Sequence, residues 1–298
     1  MNILIFGAGA IGSLFGALLS KRNNVLLIGR KSHINVINKN GLEIKGLTNF
    51  NFKINAVSSV DNVPFTPDLL ILTVKSFDTK TAIKQAKEIL NKDTTVLSLQ
   101  NGLDNIEKIS KIVESKKIIA GTTTHGAFFS KPGIIKHTGT GETILGELNE
   151  KKDDQLKNVI KLFNEASIKT KESKNIINDV WKKAIINSSI NPLTAIFRCK
   201  NGHLSENLIL ENLLEMICEE SVNIANADGI NLSYPDILFK TKEVVKNTSD
   251  NFSSMLQSIL SKKRTEIDSI NGKLIEIGRK NKVSTILNEI LVYTIKSL

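Results

Sequence analysis

The strongest constraint on the fold of this chain lies at its N-terminus. A short apolar run, Ile3–Phe6, is followed at once by Gly7-Ala8-Gly9-Ala10-Ile11-Gly12 and then by a second apolar stretch. This order predicts a buried strand, a tight turn and a buried helix. Gly7 permits the turn, Gly9 lets an anion approach the backbone, and Gly12 lets the helix pack on the strand. The turn predicts a dinucleotide-binding site, and a glycine-rich turn without a ligand is the alternative.

Short apolar segments and helical segments alternate through the rest of the first half. The predicted strands include Asn24–Gly29, Leu69–Val74, Val96–Leu99 and Ile118–Ala120. Predicted helices include Ile11–Leu19, Thr79–Leu90 and Asp153–Ala166, and Thr138–Gly146 is predicted as strand and turn. Apolar strands that alternate with helices favour a parallel sheet covered on both faces.

The pattern changes after about Ser173, where the candidate strands stop. Apolar residues then recur at helical spacing in Asn175–Ile190, Glu206–Ala227, Tyr234–Asn247, Ser253–Ser261, Thr265–Lys280 and Ser284–Leu298. The sequence predicts an α/β Rossmann-type domain over residues 1–173 and an all-α domain over residues 174–298.

The end of the second predicted strand bears on the choice of cofactor. Sites specific for NAD usually place a carboxylate there, whereas this chain has Gly29-Arg30-Lys31. A guanidinium can bind a 2′-phosphate through two hydrogen bonds, and a carboxylate would repel it. NADP is therefore the predicted cofactor, and a pair of solvated cations is the alternative.

Composition excludes several other classes of protein. The net charge of +10 is spread along the chain, and aromatic residues make up only 5%, which disfavours a nucleic-acid-binding protein and favours attraction of small anions. Two cysteines fit a reducing cytosol, and the four histidines have no metal-ligand spacing. No basic residue precedes the uncharged segment Ile3–Leu19, so we expect neither a signal peptide nor a membrane span and predict a cytoplasmic protein.

A polar stripe interrupts one of the predicted helices. Lys183, Asn187 and Asn191 follow each other at intervals of four residues, so they line one face of the helix. Spacing alone leaves open whether this face lines a cleft or meets solvent. Farther along, Ser253 and Ser254 precede Glu266, and their spacing assigns them no function.

Several motifs make the chain resemble the ketopantoate reductases, essentially from end to end. Beyond the glycine turn they are Thr73-Val74-Lys75, Gln100-Asn101-Gly102, Gly121-Thr122-Thr123-Thr124-His125, Ile190-Asn191-Pro192-Leu193-Thr194-Ala195, Ser253-Ser254-Met255-Leu256-Gln257 and Thr265-Glu266-Ile267-Asp268. The resemblance implies that NADPH reduces the C2 carbonyl of 2-dehydropantoate (ketopantoate) to give (R)-pantoate for pantothenate biosynthesis. It also implies a cleft between the two domains.

The resemblance also assigns roles to individual residues. Lys183 is implied as the general acid, and Glu266 acts with it by accepting a hydrogen bond from the C4 hydroxyl of the substrate. The implied cofactor-binding residues are Gly7, Ala8, Gly9, Ala10, Ile11, Gly12, Arg30, Lys75 and Asn101. The implied substrate-binding residues are Asn101, Lys183, Asn187, Asn191, Ser254 and Glu266. His125 is interpreted as structural, and Gln100 and Asp104 receive no role.

The expected partner is thus a small 2-keto acid, with no metal, nucleic acid or membrane involved. The oligomeric state is left open, with a homodimer as one alternative. A related reductase for another 2-keto acid and an NADP-binding protein without activity are the rival functions.

Overall fold

The computed structural model describes residues 1–148 and 154–298, which form two compact units. The first unit contains residues 1–100 and 105–176, and the second contains residues 101–104 and 177–298. The first unit is α/β and the second is helical, which confirms the predicted fold class. Segment 101–104 groups with the second unit although the chain on both sides of it belongs to the first.

The first unit is built on a large sheet and a smaller one. Its strands are β1 (Asn2–Phe6), β2 (Asn24–Ile28), β3 (Leu42–Gly46), β4 (Phe50–Phe52), β5 (Asn55–Val57), β6 (Leu69–Leu72), β7 (Thr95–Ser98), β8 (Ile118–Thr123), β9 (Gly126–Lys131), β10 (Ile134–Gly139), β11 (Thr143–Glu147) and β12 (Thr170–Glu172). The large sheet has the order β12-β11-β8-β7-β6-β1-β2-β5. Its strands from β8 to β5 in that order are parallel, as the apolar runs predict.

Both faces of this sheet are buried, which explains why its strands are continuously apolar. Ile3 and Ile5 of β1 belong to one core, and Leu4 and Phe6 belong to the other. The helices of this unit are α1 (Ala10–Leu19), α2 (Lys31–Asn40), α3 (Thr79–Ala86), α4 (Asn105–Ser110) and α5 (Asp154–Glu165). The predicted helix over 153–166 thus matches α5, except that Asp153 lies outside the described residues.

The smaller sheet has the order β4-β3-β10-β9 and packs against α1. It was not predicted as a separate layer. Its strands are short and partly exposed, so their side chains do not follow a single apolar pattern. Leu42 and Ile44 of β3 and Ile135 of β10 join the same core as α1.

The second unit consists of helices joined by turns. These are α6 (Ile176–Ile196, of which Ile176 belongs to the first unit), α7 (His203–Glu206), α8 (Leu208–Ala227), α9 (Tyr234–Asn247), α10 (Ser254–Leu260), α11 (Asn271–Lys280) and α12 (Ile286–Ser297). The prediction of one helix over Thr265–Lys280 is wrong: a 3-10 turn, Ile267–Ser269, precedes α11, and Ile270 between them has a non-helical backbone with φ −106° and ψ −88°. No helix among the described residues is long and apolar enough to cross a membrane.

Candidate active site

The glycine turn has the geometry that its sequence predicts. Gly7 has φ +120°, and a side-chain carbon there would overlap the Val74 amide. A side-chain carbon at Gly12 would overlap the Gly7 carbonyl oxygen. At Gly9 a side-chain carbon would come no closer than 3.9 Å to another atom, the Gly7 carbonyl oxygen, so the backbone is not crowded there. The helix α1 begins directly after Gly9 and has no acidic residue in its first turn, which leaves its amides suited to an anion.

A threonine that sequence reasoning missed supports this turn. Thr73 Oγ1 donates a hydrogen bond to the Gly7 carbonyl oxygen at 2.8 Å. Thr73 follows β6, the neighbour of β1 in the sheet, so it reaches across from the adjacent strand. Only the resemblance singled out the motif that contains it.

Two predicted cofactor ligands also follow parallel strands that flank β1. Arg30 lies two residues beyond β2 and is exposed, and Lys75 lies three residues beyond β6. The chain leaves β1 toward β2 on one side and reaches β6 on the other, which makes this edge the topological switch point of the sheet. Ligands of open parallel sheets bind at such a point.

Gln100 holds the loop that carries Lys75. Its Nε2 donates to the Val74 carbonyl oxygen at 2.9 Å and to Thr79 Oγ1 at 2.7 Å. Its Oε1 accepts from Ser98 Oγ at 3.2 Å. Sequence reasoning gave Gln100 no role, and no local pattern could have revealed one, because these contacts join two strands that are distant in sequence.

The polar stripe of α6 is not a solvated face. Lys183 and Asn187 are partly buried, and Asn191 is only 7% exposed. The alternative that spacing left open is therefore decided by burial. An amide and an ammonium that are removed from water need polar partners, which is the usual condition of a binding surface.

Lys183 is electrostatically coupled to Glu266, far along the chain. Burial lowers the pKa of Lys183 from 10.5 to about 8, and the negative charge of Glu266 partly opposes this shift. Glu266 is itself only 7% exposed and directly precedes the 3-10 turn. A lysine with a pKa near 8 can hold a proton at neutral pH and also release it readily, as proton transfer to a substrate requires.

The serine pair Ser253 and Ser254 is attached to α6 through Ser253. Ser253 is buried, caps α10 by accepting from the Leu256 amide at 3.1 Å, and lies 2.8 Å from Thr194 Oγ1. Ser254, the predicted substrate ligand, is exposed at the first position of α10. The cap therefore determines where Ser254 stands relative to α6.

Segment 101–104, which contains the predicted ligand Asn101, is attached to the turn after Glu266. The Leu103 amide donates to the Ser269 carbonyl oxygen at 3.0 Å, and Ser269 Oγ donates to Asp104 Oδ2 at 3.3 Å. Gly102 has φ +101°, and a side-chain carbon there would lie 2.9 Å from Ser269 Cβ. These contacts bring the segments of Asn101 and Glu266 together within the second unit.

His125 lies in the core of the first unit. Its ring is 5.3 Å from that of Phe15 in an edge-on arrangement and 6.1 Å from that of His137 in a stacked one. It is 9% exposed, neither ring nitrogen has a hydrogen-bond partner within the described residues, and burial lowers its pKa. A neutral, packed imidazole supports the structural interpretation. Among the described residues no cluster of three or more His, Cys, Asp or Glu could hold a metal ion.

Two family descriptions match the chain and together cover most of it. "Ketopantoate reductase PanE/ApbA" matches residues 3–150, and "Ketopantoate reductase PanE/ApbA C terminal" matches residues 175–298. The chain belongs to the ketopantoate reductase family. The resemblance inferred from its motifs is thereby confirmed, and it assigns the chain to a family of oxidoreductases.

Relatives of this family match the chain over nearly its whole length. A protein of Pyrococcus abyssi named 2-dehydropantoate 2-reductase is 42% identical over 99% of this chain and 97% of its own. One of Aquifex aeolicus with the same name is 31% identical over 100% of this chain and 96% of its own. Among solved structures, D-mandelate dehydrogenase with NADH and anilino(oxo)acetate has a TM-score of 0.95 at 28% identity, covering 100% of this chain and 98% of that one.

A second solved structure, a PanE/ApbA family ketopantoate reductase from Ralstonia eutropha JMP134, has a TM-score of 0.91 at 28% identity. The match covers 100% of this chain and 98% of that one. The two kinds of relative differ in name and in substrate. The family therefore establishes the architecture and the class of enzyme.

Proposed function

We propose that this member of the ketopantoate reductase family is an NADPH-dependent 2-dehydropantoate 2-reductase that forms (R)-pantoate for pantothenate biosynthesis. The observation that carries the proposal is the identity of 42% over 99% of the chain with a relative of that name. Residues 1–173 hold the cofactor, and residues 174–298 hold the substrate and supply its proton.

The cofactor-binding residues are proposed from the first unit and from segment 101–104. The backbone of Gly7–Gly12 would receive the pyrophosphate, because no atom crowds Gly9 and the start of α1 carries no acidic residue. Arg30 would bind the 2′-phosphate, and Lys75 and Asn101 would hold the nicotinamide end of the cofactor. Bound NADPH supplies a hydride to the C2 carbonyl carbon of the substrate.

Lys183 is proposed to protonate the oxygen that becomes negative as the carbonyl is reduced. Its ammonium stabilises the developing charge and then transfers a proton to that oxygen, which leaves a neutral amine to be reprotonated from water. The pKa near 8 supports this role, because the ammonium remains the main form at neutral pH.

The remaining polar residues are proposed to bind the substrate. Glu266 accepts a hydrogen bond from the C4 hydroxyl of ketopantoate, which only a substrate with that group can donate. Asn187, Asn191 and Ser254 bind the carboxylate and orient the carbonyl. Each amide and hydroxyl offers a donor to these oxygens.

A second candidate is an NADH-dependent reductase of aromatic 2-keto acids, similar to D-mandelate dehydrogenase. It is favoured by the TM-score of 0.95 with that enzyme. Glu266 argues against this candidate. A substrate without a hydroxyl donor could not make the hydrogen bond that this buried carboxylate would accept from ketopantoate.

The experiment compares specificity constants for three substrates by following the loss of NADPH or NADH absorbance. Ketopantoate is compared with trimethylpyruvate, which lacks only the C4 hydroxyl, and with phenylglyoxylate. We expect the wild-type protein to prefer ketopantoate and NADPH. At a pH well below the alkaline limb of both proteins, where Lys183 stays protonated, the value for ketopantoate should fall by about 10- to 100-fold in Glu266→Ala, since a hydrogen bond to a charged group is lost. The value for trimethylpyruvate should not fall at that pH.

Glu276→Ala is the matched control, because it removes a surface carboxylate of the same unit whose salt bridge with Lys273 is exposed on the Glu276 side. It should leave all three specificity constants unchanged. Equal losses for ketopantoate and trimethylpyruvate in Glu266→Ala would refute hydroxyl recognition. A wild-type preference for phenylglyoxylate and NADH would establish the second candidate instead.

A further inference from the structure

Helix α6 contains a proline directly after Asn191, the last residue of its polar stripe. Pro192 has no amide hydrogen, so it cannot donate to the carbonyl oxygen of Ser188, four residues earlier. Ser188 is fully buried, so water cannot replace the missing donor. An unsatisfied buried carbonyl is costly, and another group must satisfy it.

That group is the side chain of Asn271. Its Nδ2 donates to the Ser188 carbonyl oxygen at 3.1 Å and to Asn288 Oδ1 at 2.9 Å. Asn271 is 0% exposed and is the first residue of α11, five positions after Glu266. The carbonyl that Pro192 leaves without a partner is thus bound by the segment that carries Glu266.

Asn288 fixes the orientation of the Asn271 amide. Its own Nδ2 donates to Glu220 Oε1 at 2.8 Å, so its Oδ1 must face Asn271. The Glu220 carboxylate also accepts from the backbone amides of Leu287 and Asn288, at 3.0 and 2.9 Å. Asn271 therefore has to present its NH₂ group to both of its neighbours, which are acceptors.

The position of this contact in α6 gives it a consequence for the site. Ser188 directly follows Asn187 and Pro192 directly follows Asn191, so a change in the path of this turn moves Asn191 relative to Lys183. Proline bends a helix because its ring displaces the carbonyl of the residue four positions earlier. The direction of that carbonyl is determined by whatever donates to it.

We propose that Asn271 is a positioning residue, which holds the turn of α6 at the Ser188 carbonyl so that Lys183 and Asn191 stand correctly relative to Glu266. The proposal rests on the proposed function in that Lys183 and Glu266 act on the same substrate. It gives a role to Asn271, which the sequence analysis did not single out.

The test is a rescue experiment with Asn271→Ala, Pro192→Ala and the double variant. Asn271→Ala should lower kcat/KM for the keto acid by about 10- to 100-fold, as a small displacement of reacting groups does. In the double variant, the amide of residue 192 can donate to Ser188 in place of the lost side chain. We expect it to regain at least about tenfold of the lost kcat/KM, a strongly non-additive result.

Asn201→Ala is the matched control. Asn201 is also a buried asparagine of this unit, and its Nδ2 donates to Oγ1 of Thr248, the residue that follows α9, at 2.8 Å. The variant should lose stability and keep its kcat/KM. The alkaline limb of kcat/KM, which reports Lys183, should move in Asn271→Ala, return in the double variant and stay in place in Asn201→Ala. If Asn271 had only a structural role, the alkaline limb of kcat/KM would stay in place in every variant.

Two outcomes would overturn the proposal. One is a double variant whose kcat/KM is no higher than that of Asn271→Ala, or a loss of kcat/KM in Asn201→Ala as large as the loss in Asn271→Ala. The other is an unchanged pKa of Lys183 in Asn271→Ala, measured without turnover from the pH dependence of its acylation by mass spectrometry. If Asn271→Ala does not fold, the double variant alone decides. Failure of the wild type to reduce ketopantoate would instead refute the proposed function, and the acylation measurement would still test Asn271.

Discussion

Replacing Lys183 with methionine should inactivate the enzyme and stabilise the fold at the same time. Methionine keeps the length of the side chain and removes its charge. If the ammonium stabilises and protonates the nascent alkoxide, its loss should lower kcat by about 100- to 1000-fold, the range for one donor at a developing oxyanion. NADPH binding should change little, because the assigned cofactor ligands are left intact.

The stability gain follows from the pKa of Lys183. This pKa falls from 10.5 to about 8 on folding, with burial as the larger cause and the Glu266 charge in opposition. The folded protein thus disfavours the ammonium by about 3 kcal/mol at most, a value that already contains the attraction to Glu266. Below pH 8 both states are protonated and this cost is present in full. Between pH 8 and 10.5 the folded state loses its proton first, so the stability of the wild type rises with pH.

Chemical denaturation of both proteins at several pH values tests this reasoning. Lys183→Met should exceed the wild type in free energy of unfolding at pH 7, and the difference should shrink as the pH rises from 8 toward 10.5. Lys182→Met is the control, because Lys182 is the exposed neighbour, paired with Asp179 at 3.7 Å, and its loss should alter neither activity nor stability much. A Lys183→Met protein that is less stable than the wild type at pH 7, or that keeps a third of its kcat, would refute the argument.

Three further outcomes are expected. In the wild type, kcat/KM for the keto acid should fall about tenfold per pH unit above pH 8. Glu266→Gln should move this limb to lower pH, because it removes the charge that raises the pKa of Lys183. A limb that stays in place would exclude the coupling of Lys183 with Glu266. Arg30→Asp should raise the Kd of NADPH at least about tenfold while NADH binding is retained, measured by fluorescence with exposed Arg22→Asp as the control. Gly102→Ala should displace segment 101–104 from Ser269 and lower kcat/KM by about tenfold or more, whereas Gly272→Ala, whose new carbon would have 3.6 Å of clearance, should not.

The parts of the fold that the sequence predicted are those in which one physical requirement acts along a continuous segment. The parallel strands β1, β6 and β7 are buried on both faces, so each is an apolar run that needs no knowledge of its neighbours. The glycine turn is equally local. By contrast, the small sheet is partly exposed, and its strand β3 pairs in parallel with β10, about ninety residues later in the chain.

The candidate site was predictable only in part for the same reason. Its residues could be named from the resemblance, but the coupling of Lys183 with Glu266 is a property of the folded helical unit. The attachment of segment 101–104 to that unit depends on Ser269. The role of Asn271 depends on the Ser188 carbonyl, which Pro192 leaves without its helical hydrogen bond. Periodicity contains no information on contacts of this kind.

Asn271 and Glu266, both outside α6 in sequence, have complementary effects on Lys183. An exposed lysine, with its pKa of 10.5, would be a weak acid toward an alkoxide, and one buried without a carboxylate nearby would be less protonated at neutral pH than Lys183 is. Burial and Glu266 act in opposite directions, and their balance near 8 depends on the distance between two segments that are remote in sequence. Asn271 joins those segments through the Ser188 carbonyl. We therefore expect this uncharged contact to influence the proton affinity of the proposed acid.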